Sequence, residues 1–297
     1  MLDYIYLFFF KLFVIIVKYT PRFITDGILS FFALLAYKID ARHRKIARVN
    51  LDLAYEDKIN EEEKRRITKK CYKNLLYNMR DFVENQGTSK ERLLSKVTIH
   101  NEHFYTDVKQ EGKGVIFLTA HYGNWELLPL CMGATFGKLW GVGRNLDSEK
   151  MNEVLKKNRN QFNVHMLEKS GAIRGLFKAL KNGENIGLLV DQNTRKKEGI
   201  LIDFFGKLAR HTPSAALIAR KTGTPIVPAY ITTNDYINYD ITFYEPIITL
   251  KTDDSEEDIQ KSVQAQANIT EQIIRKKPDE WFWLHRRWKN QYEELYK

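Results

Sequence analysis

Beyond Leu94 the sequence alternates between short apolar runs and amphipathic helical patterns. The runs have the length and composition of buried strands, and they span residues 114–120, 139–142, 186–190 and 225–231. Helical patterns separate them at about 124–133, 148–161, 171–182 and 213–222. This alternation is typical of a largely parallel sheet with helices on both faces. We therefore predict an α/β fold with a mostly parallel central sheet flanked by helices.

Composition allows one main globular domain and excludes several protein classes. The chain has 297 residues, of which 43% are hydrophobic, so it is neither disordered nor fibrous. Its two cysteines, Cys71 and Cys131, are too few for a disulfide framework or a four-ligand zinc site. Neither lies in a Cys/His constellation, so we expect both to be buried packing residues in a protein of a reducing compartment.

Two apolar runs close to the amino terminus predict a hydrophobic, membrane-anchoring helical segment. Residues 4–17 contain one charge, Lys11, and residues 27–37 contain none. Each run is shorter than the ~20 residues that cross a bilayer, and Pro21 and Asp26 lie between them. This favours a broken or in-plane anchor over two membrane spans. Two ordinary core helices of a soluble protein are the alternative.

A basic stretch follows at residues 38–48, which read KIDARHRKIAR. Such a stretch attracts anionic lipid headgroups and marks the cytoplasmic side of a membrane segment. The first 50 residues carry half of the chain's net charge of +10. We therefore predict an anchor with its basic flank at residues 1–45 and a main domain at 46–297, which lies on the cytoplasmic face of the membrane.

Residues 60–85 form an amphipathic helical pattern with a densely charged face. Arg80, Asp81 and Glu84 belong to that face. Charged faces of this kind are usually solvated, so we expect these three side chains to lie in water rather than in a functional site.

The residues His-Tyr-Gly-Asn-Trp-Glu at 121–126 are the strongest candidates for chemistry. They follow an apolar run and precede a helical pattern, with Gly123 easing the turn. On one helix His121 and Glu126 would point about 140° apart, so they can meet only if His121 lies on the turn itself. A carboxylate there can fix the imidazole tautomer while the other ring nitrogen removes a proton from a hydroxyl. The motif has no nucleophile of its own, which suits acyl transfer to an acceptor oxygen.

Polar residues that follow another predicted strand are expected to join this site. Asp191 and Gln192 come directly after the run 186–190, and the carboxyl ends of parallel strands share one edge of a sheet. We therefore expect this pair to approach His121, with a loop-capping role for Asp191 as the alternative. The basic residues 195–197 either bind phosphate groups of an acceptor or lie in solvent.

Three arginines are candidates for stabilising an oxyanion or binding phosphate: Arg174, Arg159 and Arg144. Of these three, we expect Arg174 to be the strongest candidate for that role. A tetrahedral intermediate needs such a donor, and one good donor contributes about 2.7–4 kcal/mol of transition-state stabilisation. The block 278–289 combines three tryptophans with Arg286 and Arg287. It is either an interfacial belt or a core-closing segment, and we expect partial packing with Arg286 or Arg287 near lipid phosphate.

These blocks together make the chain similar to a known family. HYGNWE is an instance of an H-x4-D/E motif, and the sequence resembles the late lipid A biosynthesis (lauroyl/myristoyl) acyltransferases, within the wider lysophospholipid and glycerolipid acyltransferase group. The resemblance includes the apolar amino terminus, the pair Asp191-Gln192, and the stretches 202–228 and 278–289. It covers the chain nearly from end to end.

The resemblance implies the reaction and its partners. His121 would be the general base and Glu126 its partner. The donor would be a fatty acyl thioester of acyl carrier protein, and the acceptor a hydroxyl of a lipid A precursor. A lysophospholipid or another phosphorylated glycolipid is the alternative acceptor, since mycobacterial phosphoglycolipid acyltransferases also look similar. No metal or organic cofactor is expected, because the sequence has neither a ligand cluster nor a dinucleotide loop.

Other classes of function fit the sequence less well. A basic membrane-surface binding protein without chemistry would also explain the charge. Nucleic-acid binding is not expected, since acidic residues are interspersed through the chain and no recognised binding motif occurs. A hydrolase would need water in place of the acceptor hydroxyl, and the sequence has no G-x-S-x-G elbow. The positive charge suits a phosphorylated lipid, a membrane and an acidic carrier protein.

Overall fold

The computed structural model describes residues 2–110, 112–169 and 171–297. Its α-helices, in chain order, are Leu2–Tyr19 (α1), Arg22–Ile39 (α2), Ala41–Tyr55 (α3), Glu61–Glu84 (α4), Lys90–Leu94 (α5), His103–Thr106 (α6), Leu127–Phe136 (α7), Glu149–Arg159 (α8), Ala172–Lys181 (α9), Ser214–Thr222 (α10) and Ser255–Lys276 (α11). Its strands are Val97–His100 (β1), Ile116–Thr119 (β2), Leu139–Gly143 (β3), Val164–Glu168 (β4), Asn185–Leu189 (β5), Ile200–Phe204 (β6), Lys207–His211 (β7), Ile226–Thr233 (β8) and Tyr239–Phe243 (β9). Two short 3-10 turns follow, at Pro278–Glu280 and Glu293–Tyr296.

Seven of the strands form one sheet, in the order β1-β9-β8-β2-β5-β3-β4. The strands from β8 to β4 in that order run parallel to one another, whereas β9 is antiparallel to β8 and β1 is parallel to β9. Strands β6 and β7 form a separate antiparallel pair. The predicted α/β fold with a mostly parallel central sheet flanked by helices is therefore confirmed.

Both faces of the sheet are buried, which explains the continuous apolar runs of its central strands. Along β2, Ile116 and Leu118 face one hydrophobic core, to which α3, α4 and α9–α11 contribute. Phe117 faces a second hydrophobic core, to which α7 and β9 contribute. The cores hold Cys71 and Cys131, as predicted, and burial raises the pKa of each thiol to about 12. Strands β1, β4 and β9 contain partly exposed polar residues, so they lack the apolar run by which a strand is recognised.

Helices α1 and α2 occupy the two apolar amino-terminal runs, and Pro21 separates them. α2 packs against α4 and buries Thr25, Leu29 and Ala33. Together, α1 and α2 form an amino-terminal hairpin at residues 2–39. This hairpin also carries exposed aromatic side chains, among them Phe8, Phe9, Phe31 and Phe32. Among the described residues, no helix is both long enough and apolar enough to span a membrane. The anchoring role of this segment stays a prediction, and α3 runs through the proposed boundary at residue 45.

The expectation that α4 turns Arg80 and Asp81 towards water is wrong. Both residues are only 1% exposed, whereas the side chain of Glu84 remains 31% exposed. Arg80 pairs with Asp26 of α2 and with Asp81, and it donates to the carbonyl of Tyr236 in the loop after β8. The charge pattern identified a polar face of the helix, but it carried no information about the elements that pack on that face.

Candidate active site

The register of β2 and β5 brings two predicted polar positions together. Thr119 and Leu189, the last residues of these parallel neighbours, are directly paired. His121 and Asp191 each follow two residues later, at the same edge of the sheet. They are therefore neighbours in space although they are 70 positions apart in the chain.

Two hydrogen bonds join His121 to Asp191. The backbone N–H of His121 donates to Asp191 Oδ2 (3.0 Å), and the imidazole Nδ1 donates to Oδ1 (2.8 Å). Trp281 Nε1 also donates to Oδ2 (2.8 Å). An ionised carboxylate only accepts hydrogen bonds, so Nδ1 must carry a proton, and in the neutral ring Nε2 keeps its lone pair. The Asp191 side chain is 3% exposed, whereas that of His121 is 23% exposed and accessible to a substrate.

The contact shifts the pKa of both groups towards their charged forms. Burial alone would lower the pKa of His121, but the charge of Asp191 and the hydrogen bond to it raise that pKa above its usual 6.5. Burial alone would raise the pKa of Asp191, but His121 and the bond from Trp281 hold it well below its usual range. A carboxylate thus fixes both the tautomer and the proton affinity of the imidazole.

Glu126 makes a different contact from the one that the sequence predicted. Arg159 Nε donates to Glu126 Oε2 (2.9 Å) and Nη2 donates to Oε1, so the ion pair is bidentate. The carboxylate bonded to His121 is Asp191 instead. The reason is geometric: Glu126 comes just before α7 and faces the last residue of α8, whereas Asp191 follows the strand that lies beside β2.

A cleft opens next to this ion pair, at the carboxyl ends of β3 and β4. It has a volume of about 240 Å³, and Arg144, Lys156 and Arg159 contribute to its walls. Glu168 also lines it and lies 3.2 Å from Lys156 Nζ. Gln192 Nε2 lies 3.2 Å from His121 Nε2, so the structure brings this predicted residue into contact with the imidazole ring.

The predicted arginines occupy different environments. Arg174, ranked first in the sequence, is exposed on the first turn of α9, whereas Arg159 is the arginine bonded to Glu126. Arg286 is half-buried. Arg287 is fully buried, so of the two arginines predicted to lie near lipid phosphate only Arg286 stays a candidate. Within the described residues, no group of three His, Cys, Asp or Glu side chains could hold a metal ion.

The block 278–289 packs into the core, as predicted, and it also supports the site. Its three tryptophans are at most 2% exposed. Besides the bond from Trp281 to Asp191, the N–H of Phe282 donates to the carbonyl of His121 (3.0 Å). Sequence reasoning missed the role of Trp281, because an indole N–H that reaches a carboxylate in another segment leaves no signal in residue spacing.

The same block, together with the next residue, Asn290, holds the loop that carries Asp191. His285 Nε2 accepts the backbone N–H of Asn193 (3.1 Å), and Asn290 Nδ2 donates to the carbonyl of Thr194 (2.6 Å). Burial lowers the pKa of His285 to about 4, so its ring is neutral and remains an acceptor at neutral pH. One carboxyl-terminal segment therefore positions both His121 and Asp191.

Gly123 is required where the turn at residues 121–126 passes β8. Its φ is +58°, and a Cβ at this position would lie 1.9 Å from the carbonyl oxygen of Ile231. We expect Gly123→Ala to lower the free energy of unfolding by more than about 2 kcal/mol, because strain and backbone overlap add. The control is Gly87→Ala, where φ is +70° but nothing lies within 4 Å. Denaturant unfolding should show a clearly smaller loss for the control, and equal losses would contradict the role of the overlap.

The sequence is similar to proteins of known activity along nearly its whole length. The family model of bacterial lipid A biosynthesis acyltransferases matches residues 1–290. The chain belongs to this family. It is 24% identical over 262 residues to the lipid A biosynthesis lauroyltransferase of Escherichia coli. The aligned residues are 87% of this chain and 83% of that protein. It is 23% identical over 261 residues to a lipid A biosynthesis acyltransferase of Haemophilus influenzae, covering 86% and 81%.

As a member of the lipid A biosynthesis acyltransferase family, the protein is an enzyme that transfers acyl groups.

A solved structure, that of the 1-acyl-sn-glycerophosphate acyltransferase PlsC from Thermotoga maritima, covers 86% of this chain and 99% of its own at 16% identity. The TM-score of that pair is 0.37, so the likeness is distant.

Proposed function

We propose that this lipid A acyltransferase moves a fatty acyl chain from the thioester of acyl carrier protein to a hydroxyl group of a lipid A precursor, with His121 as the general base. One observation carries the proposal. His121 Nδ1 is bonded to a carboxylate that is almost fully buried, which leaves Nε2 as a proton acceptor on a partly exposed ring. A base with this tautomer suits the removal of a proton from an acceptor hydroxyl.

The proposed reaction has two steps in which a proton passes through His121. The acceptor hydroxyl gives its proton to Nε2 while its oxygen bonds to the thioester carbonyl carbon, and the carbonyl oxygen becomes an oxyanion. Asp191 stabilises the imidazolium that forms. When the C–S bond breaks, the imidazolium returns the proton to the leaving thiolate, so the products are an ester and a free thiol.

We assign the stabilisation of the oxyanion to Arg159, with Glu126 holding its guanidinium in place. The bidentate contact uses Nε and Nη2 of Arg159 and does not involve Nη1. A planar, permanently charged guanidinium held in this way is pre-organised for a developing negative charge. In this proposal Glu126 acts on the arginine, while Asp191 takes the role beside His121.

The cleft next to Arg159 is the proposed site for the acceptor's phosphorylated headgroup. Arg144, whose side chain is 83% exposed, and Lys156 contribute positive charge to it. Arg174 and Arg286 are candidates for the same phosphates from outside the cleft. Cations around a concave site raise the local concentration of an anionic substrate, and the effect weakens with added salt.

We also propose that the amino-terminal hairpin holds the enzyme on the cytoplasmic face of the inner membrane, as an in-plane anchor. Phe8 and Phe31 are 63% and 62% exposed, although both are large and apolar. The basic residues at the start of α3 follow directly. An apolar surface flanked by Lys and Arg suits a bilayer that contains anionic lipid.

The function is tested by offering one donor with two acceptors. Purified enzyme in detergent receives acyl carrier protein thioesters with either a lipid A precursor or a lysophospholipid, and the acylated product is identified by mass spectrometry. We expect transfer to the lipid A precursor. Transfer only to the lysophospholipid would assign a different acceptor to the same site, and transfer to neither acceptor would contradict the proposal.

Replacing four exposed phenylalanines of the hairpin should weaken membrane binding. We expect the variant F8S/F9S/F31S/F32S to bind vesicles of anionic and zwitterionic lipid at least tenfold less tightly, because burying one such side chain contributes about 1.5–3 kcal/mol. The control is I248S/L250S, which removes two exposed apolar side chains far from the hairpin in sequence. Vesicle sedimentation measures both, and equal binding by all three proteins would contradict the anchor.

A further inference from the structure

Helix α4 holds the turn that carries His121 through two side-chain hydrogen bonds. Asn78 Nδ2 donates to the carbonyl of Gly123 (2.9 Å). Asp81, almost one helical turn further along α4, accepts a hydrogen bond from Asn124 Nδ2 (2.8 Å) through its Oδ2. Two consecutive residues of the catalytic turn are therefore bonded to two side chains of the same helix.

Asn124 connects this contact to the start of α7. Its Nδ2 is used by Asp81, and its Oδ1 accepts the N–H of Leu127, the first residue of α7 (3.1 Å). Asn124 is 1% exposed, so water cannot replace either partner. The side chain of Asp81 thereby fixes which way the amide of Asn124 points and, with it, where the turn ends and α7 begins.

Asp81 is a buried carboxylate with a full set of donors. Besides Asn124, it accepts hydrogen bonds from the hydroxyl of Tyr239 and from Arg80 Nη2, the latter at 3.2 Å. Arg80 is itself 1% exposed and pairs with Asp26 of α2. A buried charge is costly unless it is paired and hydrogen-bonded. Contact with water therefore does not explain a carboxylate at this position, and its hydrogen-bond partners must.

We propose that Asp81 is a positioning residue of the acyl transfer: by fixing Asn124, it places His121 and Glu126 against their partners Asp191 and Arg159. The inference rests on the proposed function for the reaction that it serves. Asp81 acts through Asn124 and not on the substrate. Small displacements of these side chains matter, because a shift of 1 Å in a catalytic group can lower the rate by about 10²-fold.

The test is a reciprocal exchange at the two positions. Asp81→Asn replaces the carboxylate with an amide, which cannot accept the hydrogen bonds of Asn124, Tyr239 and Arg80 together. Asn124→Asp places two carboxylates in contact. The double variant D81N/N124D restores a donor opposite an acceptor, and the carboxylate then at position 124 can still accept the N–H of Leu127. Glu63→Gln is the control, since Glu63 is a carboxylate of α4 that pairs with Arg66 outside the site.

We expect each single variant to lower kcat by about 10²-fold with KM within about threefold of wild type, after correction for the folded fraction. The double variant should recover at least tenfold, and Glu63→Gln should match wild type. Losses that follow only the folded fraction, or a double variant no better than the single ones, would overturn the proposal. Wild-type enzyme inactive on every acceptor would instead count against the proposed function.

A second measurement needs no activity. NMR titration of the His121 ring reports its pKa, which depends on Asp191, Glu126, Arg159 and His285, the charged and titratable groups around it. If Asp81 positions the turn, Asp81→Asn lengthens the contact between His121 and Asp191 and lowers the pKa of His121, and the double variant returns it towards the wild-type value. An unchanged pKa in folded Asp81→Asn would overturn the proposal.

Discussion

Replacing His121 with alanine is expected to lower kcat for acyl transfer by about 10³-fold or more. General-base catalysis contributes about 10²–10⁴-fold, and the variant removes the ring nitrogen that is proposed to accept the proton of the acceptor hydroxyl. The donors that stabilise the oxyanion remain, so a residual rate above the uncatalysed one is expected. Initial rates with the lipid A precursor and the thioester of acyl carrier protein measure the loss.

His121→Asn separates the loss of the base from the loss of a structural bond. The Nδ2 of an asparagine can donate to Asp191 as His121 Nδ1 does, but asparagine has no counterpart of Nε2. Both variants should therefore lose activity equally. Alanine alone leaves the buried Asp191 short of a donor, which should cost about 1–3 kcal/mol of unfolding free energy. A folded His121 variant with kcat within tenfold of wild type would rule out the proposed base.

Asp191→Asn should cause a loss of similar size, about 10³-fold in kcat at neutral pH. The amide of asparagine can donate to His121 Nδ1, which favours the tautomer with the proton on Nε2 and so removes the base. Asp191 also raises the pKa of His121, so its loss lowers that pKa. The acidic limb of the kcat/KM profile should therefore move to lower pH, which a purely structural defect would not cause.

The same substitution should change how stability depends on pH. The pKa of Asp191 is lowered by folding, so its contribution is present above the unfolded value of 3.8 and is lost as the pH falls. The pKa of His121 is raised, so its contribution is present below 6.5 and is lost as the pH rises through the folded value. Wild type should exceed Asp191→Asn in unfolding free energy most clearly between about pH 4 and 6.5.

Asp240→Asn is the matched control for both measurements. Asp240 Oδ1 lies 2.7 Å from His100 Nε2, so the two residues form a second Asp–His contact, but both side chains of this pair are 45% exposed. Exposed pairs contribute little to stability. The control should retain wild-type kcat and its pH profile. If it moved the acidic limb as far as Asp191→Asn does, the limb would not report His121.

The sequence by itself determined the fold class and the position of the proposed base. The apolar runs at β2 and β5 are continuous because both faces of those strands are buried, and such runs can be recognised one element at a time. His121 and Asp191 follow directly after those two strands. Since the carboxyl ends of parallel strands share one edge of the sheet, their approach could be expected from the sequence, and the adjacency of β2 and β5 brings it about.

Only the tertiary structure decided the partners of Glu126 and Asp81. Glu126 faces Arg159 because of where α8 ends, and Asp81 is buried because α2 and β9 cover that part of α4. Residue spacing describes the faces of a single helix or strand, whereas these contacts depend on how separate elements are placed against one another. The partners of these two side chains are set by that placement, so the sequence located the turn at residues 121–126 but not the groups of α4 and α8 that hold it.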